Sequence, residues 1–133
     1  MKSGEAALMT KALIVLPVLW LASCSGALAQ AQLANPASER CVQEGGTLQI
    51  EQRPDGGQFG VCVFTDNRQC EEWALFRVEC PAGGLRVTGY LTPEARYCAI
   101  TGGRYTDSDN SCALPGGKTC DAAAYFNGTC TRQ

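Results

Sequence analysis

Gly60-Val61-Cys62-Val63-Phe64 and Cys70-Glu71-Glu72-Trp73-Ala74-Leu75-Phe76-Arg77-Val78-Glu79-Cys80 decide how this chain is read. Their three cysteines are spaced 8 and 10 residues apart, and Cys112, Cys120 and Cys130 repeat that spacing. The match extends upstream. Cys41 stands four before Gly45-Gly46, and Cys98 stands four before Gly102-Gly103. Asn35-Pro36 and Thr92-Pro93 precede those cysteines by the same interval, Arg68 answers Lys118, Glu71 answers Asp121, and Phe76 answers Phe126. So many registered matches predict an internal duplication. The second copy is shorter by seven residues between its first two cysteines.

One local reading serves both copies. Asn35 or Thr92 is a good N-cap, and the proline after it suits the first helical position. Ala37 and Cys41 then share a helix face, and Gly45 or Gly102 supplies the left-handed residue that ends the helix. Thr47 to Arg53 alternates with period two and predicts a half-buried strand. Pro54-Asp55-Gly56-Gly57 is a turn. Phe59 to Phe64 is a second strand, with Cys62 and Phe64 on one face and Val61 and Val63 on the other. Asp66-Asn67 makes a tight turn, and Cys70 to Arg77 reads as a short helix with acids at its positive end. The expected fold class is α+β, a small disulfide-rich chain of two tandem helix–β-hairpin–helix repeats. The first occupies residues 35–80 and the second 92–130, with 81–91 as a linker that adds a strand over Leu85 to Leu91.

The N-terminus reads as a targeting segment. Lys2 and Lys11 precede the apolar run from Ala12 to Leu21, which is too short to span a bilayer and fits a secretory signal. Leu21-Ala22-Ser23-Cys24 resembles a bacterial lipobox. That resemblance implies a lipoprotein signal over residues 1–23, acylation of Cys24, and a flexible tether over 24–34. Ser25 after it points to the outer membrane. Ala27-Leu28-Ala29 offers an alternative cleavage after residue 29, giving a soluble periplasmic or secreted protein. In either case Cys24 leaves the pool of pairing cysteines, and eight of the nine remain.

Export permits disulfides, and copies this small need staples. If each copy closes on itself, Cys41, Cys62, Cys70 and Cys80 allow three pairings, as do Cys98, Cys112, Cys120 and Cys130. A helix from Cys70 to Cys80 would hold their Cα atoms about 15 Å apart, against a limit of about 7 Å for a bridge. The expectation is therefore 62–70 with 41–80, the alternative being 41–70 with 62–80.

Asn35-Pro36-Ala37-Ser38, Cys41, Gly45-Gly46, Gly60 to Phe64 and Cys70 to Arg77 together resemble the bacterial domain of unknown function 333. Ala95-Arg96-Tyr97-Cys98-Ala99-Ile100-Thr101-Gly102-Gly103 is similar to the second unit of its two-repeat members. The resemblance implies a small exported protein or lipoprotein, of a kind often labelled a haemolysin, and brings no established activity with it. Asn67 and Val78 stand where that family usually has glycine. Asn tolerates the left-handed conformation, whereas Val78 leaves the end of the helix open.

The chain has no histidine, which excludes Ser-His-Asp and Cys-His catalysis and histidine-ligated metals. It has no C-x-x-C pair for thioredoxin-type redox work or tight cysteine-only zinc binding. Asp107-Ser108-Asp109-Asn110 lacks the glycine and distal glutamate of a calcium loop and reads as a polar turn. A net charge of −2 with scattered Lys and Arg argues against nucleic acid. No enzyme activity, cofactor or metal is expected. The candidate binding patch is Glu71, Trp73, Phe76 and Arg77, since Trp and Arg are enriched in hot spots. Ala123 and Asn127 replace Trp73 and Arg77 in the second copy, so the patch is special to the first. The competing reading packs Trp73 and Phe76 into the core and leaves Glu71 and Glu72 as acids at a helix start. Residues 35–80 carry four basic and eight acidic residues, net −4, against +1 over 81–133. The expected function is a non-enzymatic binding or inhibitor-like module for a protein or envelope ligand, membrane-attached through its lipid. The alternative is a membrane-active haemolysin, against which stands the lack of a basic amphipathic helix.

Overall fold

The computed structural model describes residues 35–133. The proposed signal, Cys24 and the tether lie outside the described residues. In the first half, helix α1 (Pro36–Gln43) leads into strands β1 (Thr47–Gln52), β2 (Gln58–Phe64) and β3 (Arg68–Glu71), then helix α2 (Glu72–Phe76). A two-residue strand β4 (Leu85–Arg86) completes an antiparallel sheet in the order β1-β2-β3-β4. The second half runs α3 (Pro93–Ile100), β5 (Arg104–Thr106), β6 (Ser111–Ala113), β7 (Thr119–Asp121) and α4 (Ala122–Phe126), with a three-stranded sheet β5-β6-β7. The chain is α+β as expected. Each half, however, is a helix, a three-stranded meander and a helix, not helix–hairpin–helix.

The caps are where the residue types place them. Asn35 accepts from the N–H of Ala37 and Thr92 from that of Ala95, with proline opening both helices. Ala37 and Cys41 are fully buried on one face of α1. Gly45 and Gly102 take the left-handed conformation at φ 83° and 87°. The next glycine has a different duty. A side chain on Gly46 would collide with the sulfur of Cys62, and one on Gly103 with that of Cys112. The Gly-Gly pairs thus end the helix and then clear room for a disulfide.

Disulfides join Cys41 to Cys62, Cys70 to Cys80, Cys98 to Cys112 and Cys120 to Cys130, with Cα separations of 5.6 to 6.1 Å. This corrects the 62–70 with 41–80 expectation. A helix running from one cysteine to the other would hold Cys70 and Cys80 too far apart to bridge. Cys70 instead lies in β3, and α2 is only five residues long, a rise of about 7.5 Å. Val78 at φ 61° then reverses the chain, and the N–H groups of Glu79 and Cys80 both donate to the carbonyl of Ala74. That hairpin-like helix end returns Cys80 to Cys70. Gly128 at φ 83° does the same for Cys130.

Three apolar clusters result. Cys41, Cys62, Cys70, Cys80, Ala74 and Leu75 fill the first half. Tyr97, Leu114, Tyr125 and the disulfides fill the second. Val61, Val87 and Ile100 join the two. Arg96 fastens the junction with a bidentate pair to Glu51 at 2.7 and 2.8 Å and a third bond to Gln69. No helix among the described residues is long and apolar enough to cross a membrane.

Candidate functional site

The four residues of the expected patch do different things. Glu71 is buried at 8% exposure and acts as the N-cap of α2, accepting from the Ala74 N–H at 2.8 Å. Burial pushes its carboxyl above the usual range, against the pull of the Trp73 and Ala74 N–H groups. It supports the helix and is not a surface contact. Trp73 and Phe76 are 38% and 45% exposed and meet edge to face at 5.7 Å. They are not core residues, which sets aside the reading that placed them there. The Arg77 guanidinium reaches Glu79 at 2.9 Å.

An open cleft of about 320 Å³ runs from Trp73 and Arg77 across the junction to Tyr97, Tyr125 and Arg132, with Glu71 and Glu72 also lining it. It adjoins a second depression of about 470 Å³ that shares Arg53, Tyr97, Tyr125 and Arg132. Phe59 from β2 meets the Tyr97 ring edge-on at 5.0 Å. Burial, with Tyr125 adding to it, raises the Tyr97 phenol. Burial opposes ionisation of Glu79, but hydrogen bonds from Arg132 and Arg77 hold its carboxyl below the ordinary range. Arg53 pairs with Asp55 at 3.1 Å, and its Nε is buried with no hydrogen-bond partner. Disulfides fix both walls. The cleft offers a half-exposed indole and guanidinium donors, which is the chemistry of stacking and polar recognition. All eight described cysteines are bridged, so none supplies a thiolate.

A second constellation, which the residue types alone do not announce, lies between α1 and α2. Glu72, only 6% exposed, accepts from the Ser38 hydroxyl at 2.6 Å and the Asn35 amide at 3.2 Å, tying α1 to α2. It lies over Gly60, where any side chain would strike the Glu72 carboxyl group. With the cysteines in register, Ser38, Glu72 and Gly60 correspond to Ala95, Ala122 and Asn110 in the second half. Both partners of the hydrogen bond are missing there together. The Asn110 side chain instead accepts from the Tyr105 hydroxyl at 3.0 Å. That joint substitution was visible in the sequence and is the signal that finds the pair. Arg96, Tyr97, Tyr125 and Arg132 carry no such local signal, because only the docking of the halves brings them to the cleft.

The first half is thus a small α+β unit, doubly bridged and with its two helices pinned by Glu72. Residues 32–79 match the family model described as Domain of unknown function (DUF333). The chain is also similar to the proteins named "Uncharacterized protein YoaF" from Escherichia coli K12, Escherichia coli O6:H1 and Shigella flexneri. Each is 43% identical over 54 residues, covering 41% of this chain and 63% of the relative. No solved structure matches the chain.

Proposed function

We propose that this is an exported, disulfide-stapled binding module, lipid-anchored through Cys24 and built from two copies of the DUF333-like unit, the second shortened. The observation that carries the reading is the junction cleft. Trp73 and Arg77, which have no counterparts in the second half, sit on one of its walls. Tyr97, Tyr125 and Arg132 of the second half form the other. A rigid cleft between two copies gives the duplication a use that neither copy has alone. The reading is non-enzymatic because the side chains converging there recognise groups without offering an activated nucleophile.

The test immobilises the full-length oxidised protein and challenges it with solubilised bacterial envelope. Retention of a component that is lost with Trp73→Ala and weakened by Arg77→Gln, but kept with the exposed control Val42→Ala on α1, supports the reading. Circular dichroism verifies that each variant is folded. Retention indifferent to Trp73, or lysis of erythrocytes by the pure protein in place of retention, overturns it. Palmitate labelling abolished by Cys24→Ala tests the anchor.

A further inference from the structure

We infer that the outer edge of β1 pairs with β1 of a second copy of this chain, forming a two-fold dimer through a continuous sheet. In the β1–β2 hairpin the N–H of Arg53 donates to the carbonyl of Gly57 at 2.8 Å. Antiparallel pairs alternate between bonded and non-bonded. Counting back along the register, Glu51, Gln49 and Thr47 direct their backbone groups to Phe59, Val61 and Val63. Leu48, Ile50 and Gln52 therefore direct theirs away from the sheet. Among the described residues no turn, loop or cap donates a backbone hydrogen bond to them or accepts one from them.

Edge strands in native proteins are blunted by short length, lysine, proline or bulges. The other described edges follow that rule. β4 has two residues, and β5 and β7 have three each. β1 has six, with neither lysine nor proline, and places Ile50 at its centre with 58% exposure. Its single charge, Glu51, is already engaged by Arg96 within the same chain.

The strand is complementary to itself. A two-fold axis through Ile50 sets Ile50 against Ile50 of the second copy and Leu48 against Gln52. Each of these pairs exchanges two backbone hydrogen bonds with the groups now pointing outward. On the opposite face Gln49 meets Glu51 of the second copy, an amide donor beside a carboxylate. No like charges are opposed, and the exposed Ile50 is covered by its own counterpart. This complementarity selects a second copy over an unrelated peptide.

The test combines sedimentation velocity with amide hydrogen exchange on the full-length oxidised protein. Association is expected to rise from micromolar to millimolar concentration. Protection at Leu48, Ile50 and Gln52 should rise with it, while Gln49 and Glu51 stay protected throughout. Ile50→Lys should weaken dimerisation by about tenfold or more. Ile50→Pro should abolish it without unfolding the chain, because its N–H makes no bond to β2. If the proline variant does not fold, the lysine variant and the exchange pattern still decide. A protein monomeric at every concentration overturns the inference. So does a dimer indifferent to Ile50→Lys, or edge amides protected only when envelope extract is added.

Discussion

Replacing Glu72 by alanine, the residue found at the matching place in the second half, should destabilise the first half substantially. Glu72 takes a 2.6 Å bond from Ser38 and a 3.2 Å bond from Asn35. Hydrogen bonds to a charged group are worth about 1.5–3 kcal/mol, with the longer one at the low end, and losing the buried charge returns part of that. The expected net loss is about 2–3 kcal/mol. For a domain near 100 residues this lowers Tm by on the order of 10 °C. Ser38→Ala alone should cost about 1–2 kcal/mol and act through Glu72. The double variant should then be little worse than Glu72→Ala, a coupling energy of about 1–2 kcal/mol. Urea unfolding with disulfides intact measures all corners of the cycle. Additivity within about 0.5 kcal/mol would refute the pairing as the reason these two residue types occur together. Gly60→Ala should reproduce much of the loss by displacing the Glu72 carboxyl group.

Val78→Gly should stabilise the protein by up to about 1 kcal/mol, seen as a raised Tm, because a β-branched residue at φ 61° and 80% exposure is strained without compensating packing. Glu71 and Glu79 should pull the pH dependence in opposite directions. Burial raises Glu71 in the folded state, so its contribution holds below the unfolded-state value and fades as pH climbs through the raised one. Glu79 is depressed, so its contribution holds above the unfolded-state value and is lost as pH falls through the lowered one. Thermal melts from pH 3 to 7 of Glu71→Gln should show the decline with rising pH removed, and those of Glu79→Gln the acid-side decline reduced. Replacing Cys70 and Cys80 together by alanine opens a loop of 10 residues and should cost about 2.7 kcal/mol. Opening the 21-residue loop of Cys41 and Cys62 should cost about 3.3 kcal/mol, so denaturation midpoints should rank in that order.

Much of the fold was legible because it is dictated locally. N-caps at Asn35 and Thr92, prolines after them, left-handed glycines and the alternation of Thr47 to Gln52 each specify their own few residues. The cysteine pairing was not legible. It depends on where α2 begins, and Cys70-Glu71 reads equally well as a helix start or as a strand that supplies the cap. The structure resolves that in favour of the strand, since Glu71 is extended at φ −67° and ψ 139° while its side chain caps the helix. The same misplacement put Glu71 on the surface. Of the cleft, Trp73 and Arg77 were legible from their residue types and their absence from the second half. Tyr97, Tyr125 and Arg132 were not, because only tertiary docking of the halves brings them there. Val78 kept the sharp turn expected of a glycine, held by the bridge and by paired bonds to Ala74, at the cost of local strain.

Each half is closed by its own two consecutive bridges beside a shared cleft, and tryptic mapping without reduction tests that pairing directly. Trypsin does not cut the Arg53-Pro54 bond, so Cys41 and Cys62 remain together in the peptide 41–68. This peptide should be released alone, closed internally, while 69–77 is linked to 78–86. In the second half 97–104 should be linked to 105–118, and 119–132 should be released alone. A single species joining 41–68, 69–77 and 78–86, or one joining 97–104, 105–118 and 119–132, would contradict it.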